Sequence, residues 1–167
     1  MYVLFVDLSG FTAYTERHGE RAAAELASSF ALRAMQAGRR VGLRPVKTVG
    51  DAVIFVTRDA EIAGRGALAL LDTFDGARGG LRVHIGLAGG EVIERDGDVF
   101  GFPVNLASHL SSAAKPGQIL VDGAVADHLP QRLFEVADAG TRPMKGLSRA
   151  VRLFRLLRMV RIGEVPS

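Results

Sequence analysis

The chain has 167 residues, is 48% hydrophobic and 23% charged, and carries a net charge of +3 with no cysteine. It is long enough for one ordinary domain with a buried core. Disulfides and thiolate metal sites are excluded, and no run of about 18 apolar residues is present to span a membrane. The basic residues are scattered and Trp is absent, which argues against a nucleic-acid partner. The N-terminus lacks the basic segment and small-residue cleavage site of a signal peptide, so a cytoplasmic protein is expected. Because the sequence opens almost inside its first strand, it reads as a domain of a longer protein.

Residues 2–8 (YVLFVDL) are β-branched and aromatic and predict a buried strand. Ser9-Gly10 is a turn, and a helix starts over 11–17. Residues 20–38 continue that helix, with Ala23, Leu26, Phe30 and Ala34 at helical spacing. Gly38 and Gly42 bracket its exit. Residues 44–57 (RPVKTVGDAVIFVT) predict two short strands joined at Gly50-Asp51 as a hairpin. A second helix is expected over 59–75, ended by Gly76, Gly79 and Gly80. Residues 81–95 predict one long strand bent at its glycines, and 95–98 (RDGD) a turn. A third helix follows over 102–113 behind Gly101 and Pro103. Strands are expected at 117–122 and 132–138, around a short helix at 123–129. Residues 150–157 (AVRLFRLL) alternate apolar and basic and predict an edge strand. The order β-α-β-β-α-β indicates an α+β chain with a ferredoxin-like core and a C-terminal extension.

Two features carry chemistry. Asp7 and Asp51 each sit at the end of an apolar strand near a glycine, and the βαββαβ order brings those strand ends together. Two carboxylates held close repel unless a cation lies between them. Oxygen ligands without Cys or His favour Mg²⁺ or Mn²⁺. Either Asp alone reads equally well as a turn residue. Phe11 and Thr12 open a helix, and their free backbone N–H groups suit a phosphate. A carboxylate pair beside a helix N-terminus suggests nucleotide phosphates.

The blocks FVDLSGFT, KTVGD, GDVFGFPVNLASHL and RPMKGLSRAVRLFRL, in this order, resemble the class III adenylate/guanylate cyclase catalytic domain. The resemblance runs from residue 2 to about 157, so the chain reads as a single such domain over 1–167. The short segment between Gly90 and Asn105 resembles the compact bacterial variety. The resemblance implies that Asp7, Asp51 and the carbonyl of Leu8 hold two Mg²⁺ or Mn²⁺ ions. It implies attack of the ribose 3′-hydroxyl of ATP on the α-phosphate, giving cyclic AMP and pyrophosphate. Lys47 and Asp98 match the purine-reading pair, with Asp96 an alternative to Asp98. This pair implies ATP rather than GTP, because a lysine donates to adenine N1 and an aspartate accepts from its amine. Asn105 matches the residue that orients the ribose, and Lys145 the lysine that contacts the triphosphate. The family builds each site from two subunits, which implies a homodimer.

The departure is His109. Two-site members of the family carry an Arg there that meets the α-phosphate in the transition state. A histidine is shorter and has one N–H donor when neutral. Loss of such a donor costs about 10²–10³ in rate. The expectation is a slow adenylate cyclase. The alternatives are a cyclase-like ATP-binding or regulatory module, and one half of a heterodimer whose other chain brings the Arg. His18, His84 and His128 are dispersed and read as structural or surface residues.

Overall fold

A computed structural model describes residues 1–75 and 82–164. Its elements, in chain order, are β1 (Tyr2–Leu8), α1 (Phe11–His18), α2 (Glu20–Arg40), β2 (Arg44–Val49), β3 (Ala52–Thr57) and α3 (Ala60–Thr73). They continue with β4 (Val83–Gly89), β5 (Ile93–Arg95), β6 (Asp98–Phe100), α4 (Phe102–Ala113), β7 (Ile119–Val121), α5 (Gly123–His128), β8 (Phe134–Arg142) and β9 (Val151–Met159). Seven strands form one sheet in the order β2-β3-β1-β4-β7-β9-β8, and β5 and β6 pair separately. The first four strands of that order are the expected ferredoxin-like arrangement, and the rest are the extension.

β1 is apolar from Tyr2 to Val6 because both its faces are covered. Leu4, Val6 and Leu8 enter a core shared with Phe30 and Ala34 of α2, Ala67 and Leu70 of α3, and Val125 of α5. Val3 and Phe5 point the other way, toward Leu106, Ala107 and Leu110 of α4. Asp7 follows the same alternation and lies on the α4 side. α4 packs unusually close to β4 because Gly86 has no side chain. A Cβ there would stand 2.1 Å from the carbonyl oxygen of Ala107 and 2.3 Å from the amide nitrogen of Ser111.

Three expectations are corrected. The helix after Gly10 is not continuous: Gly19, at φ 87°, separates α1 from α2, a conformation that favours glycine. The long strand over 81–95 is two elements. β4 ends at Gly89, and 93–95 leave the main sheet to pair with 98–100 around a two-residue turn. Asp96 at φ 52° and Gly97 at φ 78° have the double positive φ of a type I′ hairpin turn. The basic-apolar strand β9 is not an edge. It lies between β7 and β8, and β8 is the edge. Arg155 is exposed although it pairs with Leu120 of β7 and Ala137 of β8, so its exposure marks a face of the sheet and not an edge. The helix stop at Gly76, Gly79 and Gly80, and the strand start at Leu81, lie outside the described residues.

Candidate active site

At the end of β1, Asp7 faces Ala52 of β3 on one side and His84 of β4 on the other. The β2–β3 turn, with Gly50 at φ 59°, folds Asp51 over this strand end. The Leu8 amide donates to the Asp51 carbonyl at 3.4 Å. The carboxyls of Asp7 and Asp51 meet. Burial, then repulsion by Asp51 and a hydrogen bond to it, push Asp7 up to about 7. Asp7 Oδ1 is buried with no hydrogen-bond partner among the described residues. A buried orphan acceptor is costly, and a cation would satisfy it.

The donor set tests which cation fits. Among the described residues no three His, Cys, Asp or Glu side chains cluster as metal ligands. The protein therefore offers two carboxylates and backbone oxygen. That is the ligand set of Mg²⁺ or Mn²⁺ held partly by substrate phosphates, not of a self-contained zinc or calcium cage. The residues fit the ions expected from sequence.

His84 is closer to this pair than its scatter along the sequence suggested. Its Nε2 lies 3.8 Å from Asp7 Oδ2. Its Nδ1 is 2.7 Å from the carbonyl oxygen of the buried Ser111 on α4. The sequence carries no local signal for this contact, because it depends on β1–β4 register and on the close approach at Gly86.

The second cluster is Lys47 with Asp98. Lys47 Nζ donates to Asp98 Oδ2 at 2.7 Å across the gap between β2 and β6. That bond, and one from the Val99 amide to Oδ1, hold the Asp98 carboxyl below the usual carboxylate range. Asp96, the alternative, is almost fully exposed and its nearest cation is Arg95 at 3.8 Å. Lys47 and Asp51 belong to one hairpin, so the base-reading candidate and a metal candidate are rigidly linked.

Phe11 and Thr12 do open α1. Gly10, at φ 74°, precedes them and no side chain caps the helix, so the first-turn amides lack a side-chain acceptor. Asn105 and His109 lie one turn apart on α4, Asn105 exposed and His109 half-buried, opposite the buried Leu106 and Leu110. Lys145 is exposed on the turn between β8 and β9, beside the buried Met144. Neither Asn105, His109 nor Lys145 makes a side-chain hydrogen bond or ion pair among the described residues. One chain thus presents two preassembled pairs and three unengaged polar side chains.

The family model described as the adenylate and guanylate cyclase catalytic domain matches residues 1–157. The chain is 39% identical over 153 residues to an uncharacterized protein of Mycobacterium tuberculosis, covering 91% of this chain and 40% of that one. It is 42% identical over 127 residues to an adenylate cyclase of Streptomyces griseus, covering 76% and 32% respectively. The chain therefore spans about two fifths or less of these curated relatives' own length. Among solved structures, the adenylyl cyclase CyaB from P. aeruginosa superposes with a TM-score of 0.79 at 23% identity, covering 96% of this chain and 94% of that one. At that identity the likeness is one of fold.

Proposed function

Since the chain belongs to the adenylate and guanylate cyclase catalytic domain family, we propose that it is an adenylate cyclase, converting ATP to 3′,5′-cyclic AMP and pyrophosphate. The observation that carries the choice of ATP is the Lys47–Asp98 pair, which joins the β2–β3 hairpin to the β5–β6 hairpin. A cationic donor beside an anionic acceptor complements the N1 and amine edge of adenine. Guanine presents a donor and a carbonyl there, and would leave both groups mismatched.

The residues divide the work. Asp7, Asp51 and the Leu8 carbonyl would hold two Mg²⁺ or Mn²⁺ ions. Bound there, the ions supply the Lewis acidity that favours the 3′-alkoxide and neutralises the triphosphate. The amides of Phe11 and Thr12 receive phosphate oxygens at the start of α1. Asn105 orients the ribose so that O3′ lines up with the α-phosphorus. Lys145 neutralises the polyphosphate, and His109 is the group nearest in role to a transition-state donor. The 3′-hydroxyl gives up its proton to water, a bond forms from O3′ to the α-phosphorus, and the bond from that phosphorus to the bridging oxygen breaks as pyrophosphate departs. Because Asn105, His109 and Lys145 are unengaged within one chain, the reading places them, together with Lys47 and Asp98, against the Asp7–Asp51 end of a second copy in a homodimer.

His109 supports a second reading, that of a cyclase-like module which binds ATP and turns it over poorly, or of a half that requires an Arg-bearing partner chain. The retained Asp7, Asp51, Lys47, Asp98 and Asn105 favour the enzyme. The deciding measurement is cyclic AMP formation by purified protein with Mn²⁺–ATP and with Mn²⁺–GTP. Cyclic AMP from ATP, in excess over cyclic GMP from GTP, supports the proposal. ATP binding without product supports the module.

A further inference from the structure

Lys47 Nζ and Asp98 Oδ2 stand 2.7 Å apart, side by side as the N1 and amine of one adenine edge require. That spacing depends on the β5–β6 hairpin, which is weakly held. It forms its own two-stranded sheet, Val99 is its buried residue, and Ile93 and Phe100 stand exposed. The Lys47–Asp98 bond is one of its ties to the main sheet, and a base edge that draws on the same two groups weakens it.

A second tie lies beside it. Arg44 Nη2 donates to Glu94 Oε1 at 2.8 Å, again from β2 to the hairpin. Arg44 and Lys47 are three residues apart, which in a regular strand would put them on opposite faces. The ladder shows why they are not. Arg44 pairs with Val56 and Lys47 with Ile54, so Val46 is an extra residue, bulged out of register. The bulge turns both cations to one side. It sits next to Pro45, on an edge strand where a missing N–H costs no ladder bond.

We propose that Arg44 and Glu94 are specificity-positioning residues, holding the hairpin that bears Asp98 against the strand that bears Lys47 while adenine hydrogen-bonds to both. The inference rests on the assignment of Lys47 and Asp98 to base recognition. Neither Arg44 nor Glu94 touches the nucleotide. Their effect is on how well Asp98 is placed relative to Lys47, and so on discrimination between bases rather than on phosphate binding.

The test is competition of ATP and GTP against one fluorescent ATP analogue, with Mn²⁺, on wild type, Arg44→Glu, Glu94→Arg and the Arg44→Glu/Glu94→Arg double variant. Each single reversal is expected to reduce the ATP:GTP preference by roughly 2- to 5-fold, the range an exposed ion pair carries. The double reversal rebuilds the pair with opposite polarity and is expected to restore the preference. Glu94→Gln removes the charge without adding a repulsion and guards against misfolding, which a melting curve reports; it should fall between wild type and Glu94→Arg. Unchanged preference in the single variants overturns the proposal, and so does a double variant no better than the singles. Asp98→Ala separates the two levels. If it abolishes the preference while Arg44→Glu leaves it intact, this inference alone fails. If Asp98→Ala also leaves the preference intact, the base-recognition reading fails and this inference with it.

Discussion

Asp7 is the residue at which charge, burial and chemistry conflict. Its carboxyl, pushed up to about 7 by burial and by Asp51, holds a proton that the unfolded chain releases near pH 4. The folded state binds the extra proton between those values, so the stability of the metal-free protein is expected to fall as pH rises from about 4 to about 7. Chemical denaturation across that range checks the slope, and Asp7→Asn should flatten it and raise stability at pH 8. Mn²⁺ competes for the same site, so its apparent affinity should rise with pH up to about 7 and level off above. Asp51→Asn should weaken Mn²⁺ binding with little effect on the secondary structure seen by circular dichroism. At His109 the expected result is a gain: His109→Arg should raise cyclic AMP turnover at saturating Mn²⁺–ATP by up to about 10². Nucleotide affinity should change little, because the new contact strengthens mainly in the transition state. At this scale Asp7 and Asp51 were visible as charged residues at strand ends beside glycines, whereas Lys47 and Asp98 were reached only through the family resemblance. His84 and the Arg44–Glu94 pair were visible by neither route. Each depends on strand register between distant segments, and a lone His or a surface Arg has no local pattern to betray it.

Among the elements, α4 and β4 meet at Gly86 with no room for a side chain. Adding one methyl at Gly86 would drive a Cβ into the Ala107 carbonyl and the Ser111 amide. These are backbone atoms, so no side chain can rotate away and the helix itself must move. Gly86→Ala is expected to destabilise the fold by about 1–3 kcal/mol, as overpacking does, measured by urea unfolding. Any folded fraction should lose cyclase rate as well, since Asn105 and His109 move with the helix. The elements legible from sequence were those with a strong period or turn: the core of β1, the β2–β3 hairpin, α2 and α3. Boundaries failed where glycine had two uses. Gly19 breaks a helix while keeping the amphipathic pattern in phase, and Gly89-Gly90 end a strand where a bend was expected. β9 was misplaced because an Arg exposed on the face of an inner strand, such as Arg155, gives the same alternation as a true edge.

For the whole molecule, a composite site in a homodimer has an arithmetic consequence. Asp7→Ala and Asn105→Ala chains should each be inactive alone. Mixed in equal amounts and allowed to exchange, half the dimers are hybrids, and each hybrid has one intact site of two. Roughly one quarter of the wild-type rate is then expected, against none if each chain holds its own complete site. Cyclic AMP formation by the mixture, with the mixing confirmed by size-exclusion chromatography, distinguishes the two.

The sheet is also built around its earliest strand. β1 is flanked by β3 and β4, whose pairing residues run to Thr57 and Gly89. A ribosome must therefore add more than eighty residues after Tyr2 before both sides of β1 can be paired. At about 5–20 residues per second that is several seconds in which Val3, Leu4, Phe5 and Val6 have no native cover. The strand that later carries Asp7 is thus the nascent chain's main exposure to aggregation, and translation speed through residues 9–89 should bear on how much of this protein reaches its folded state.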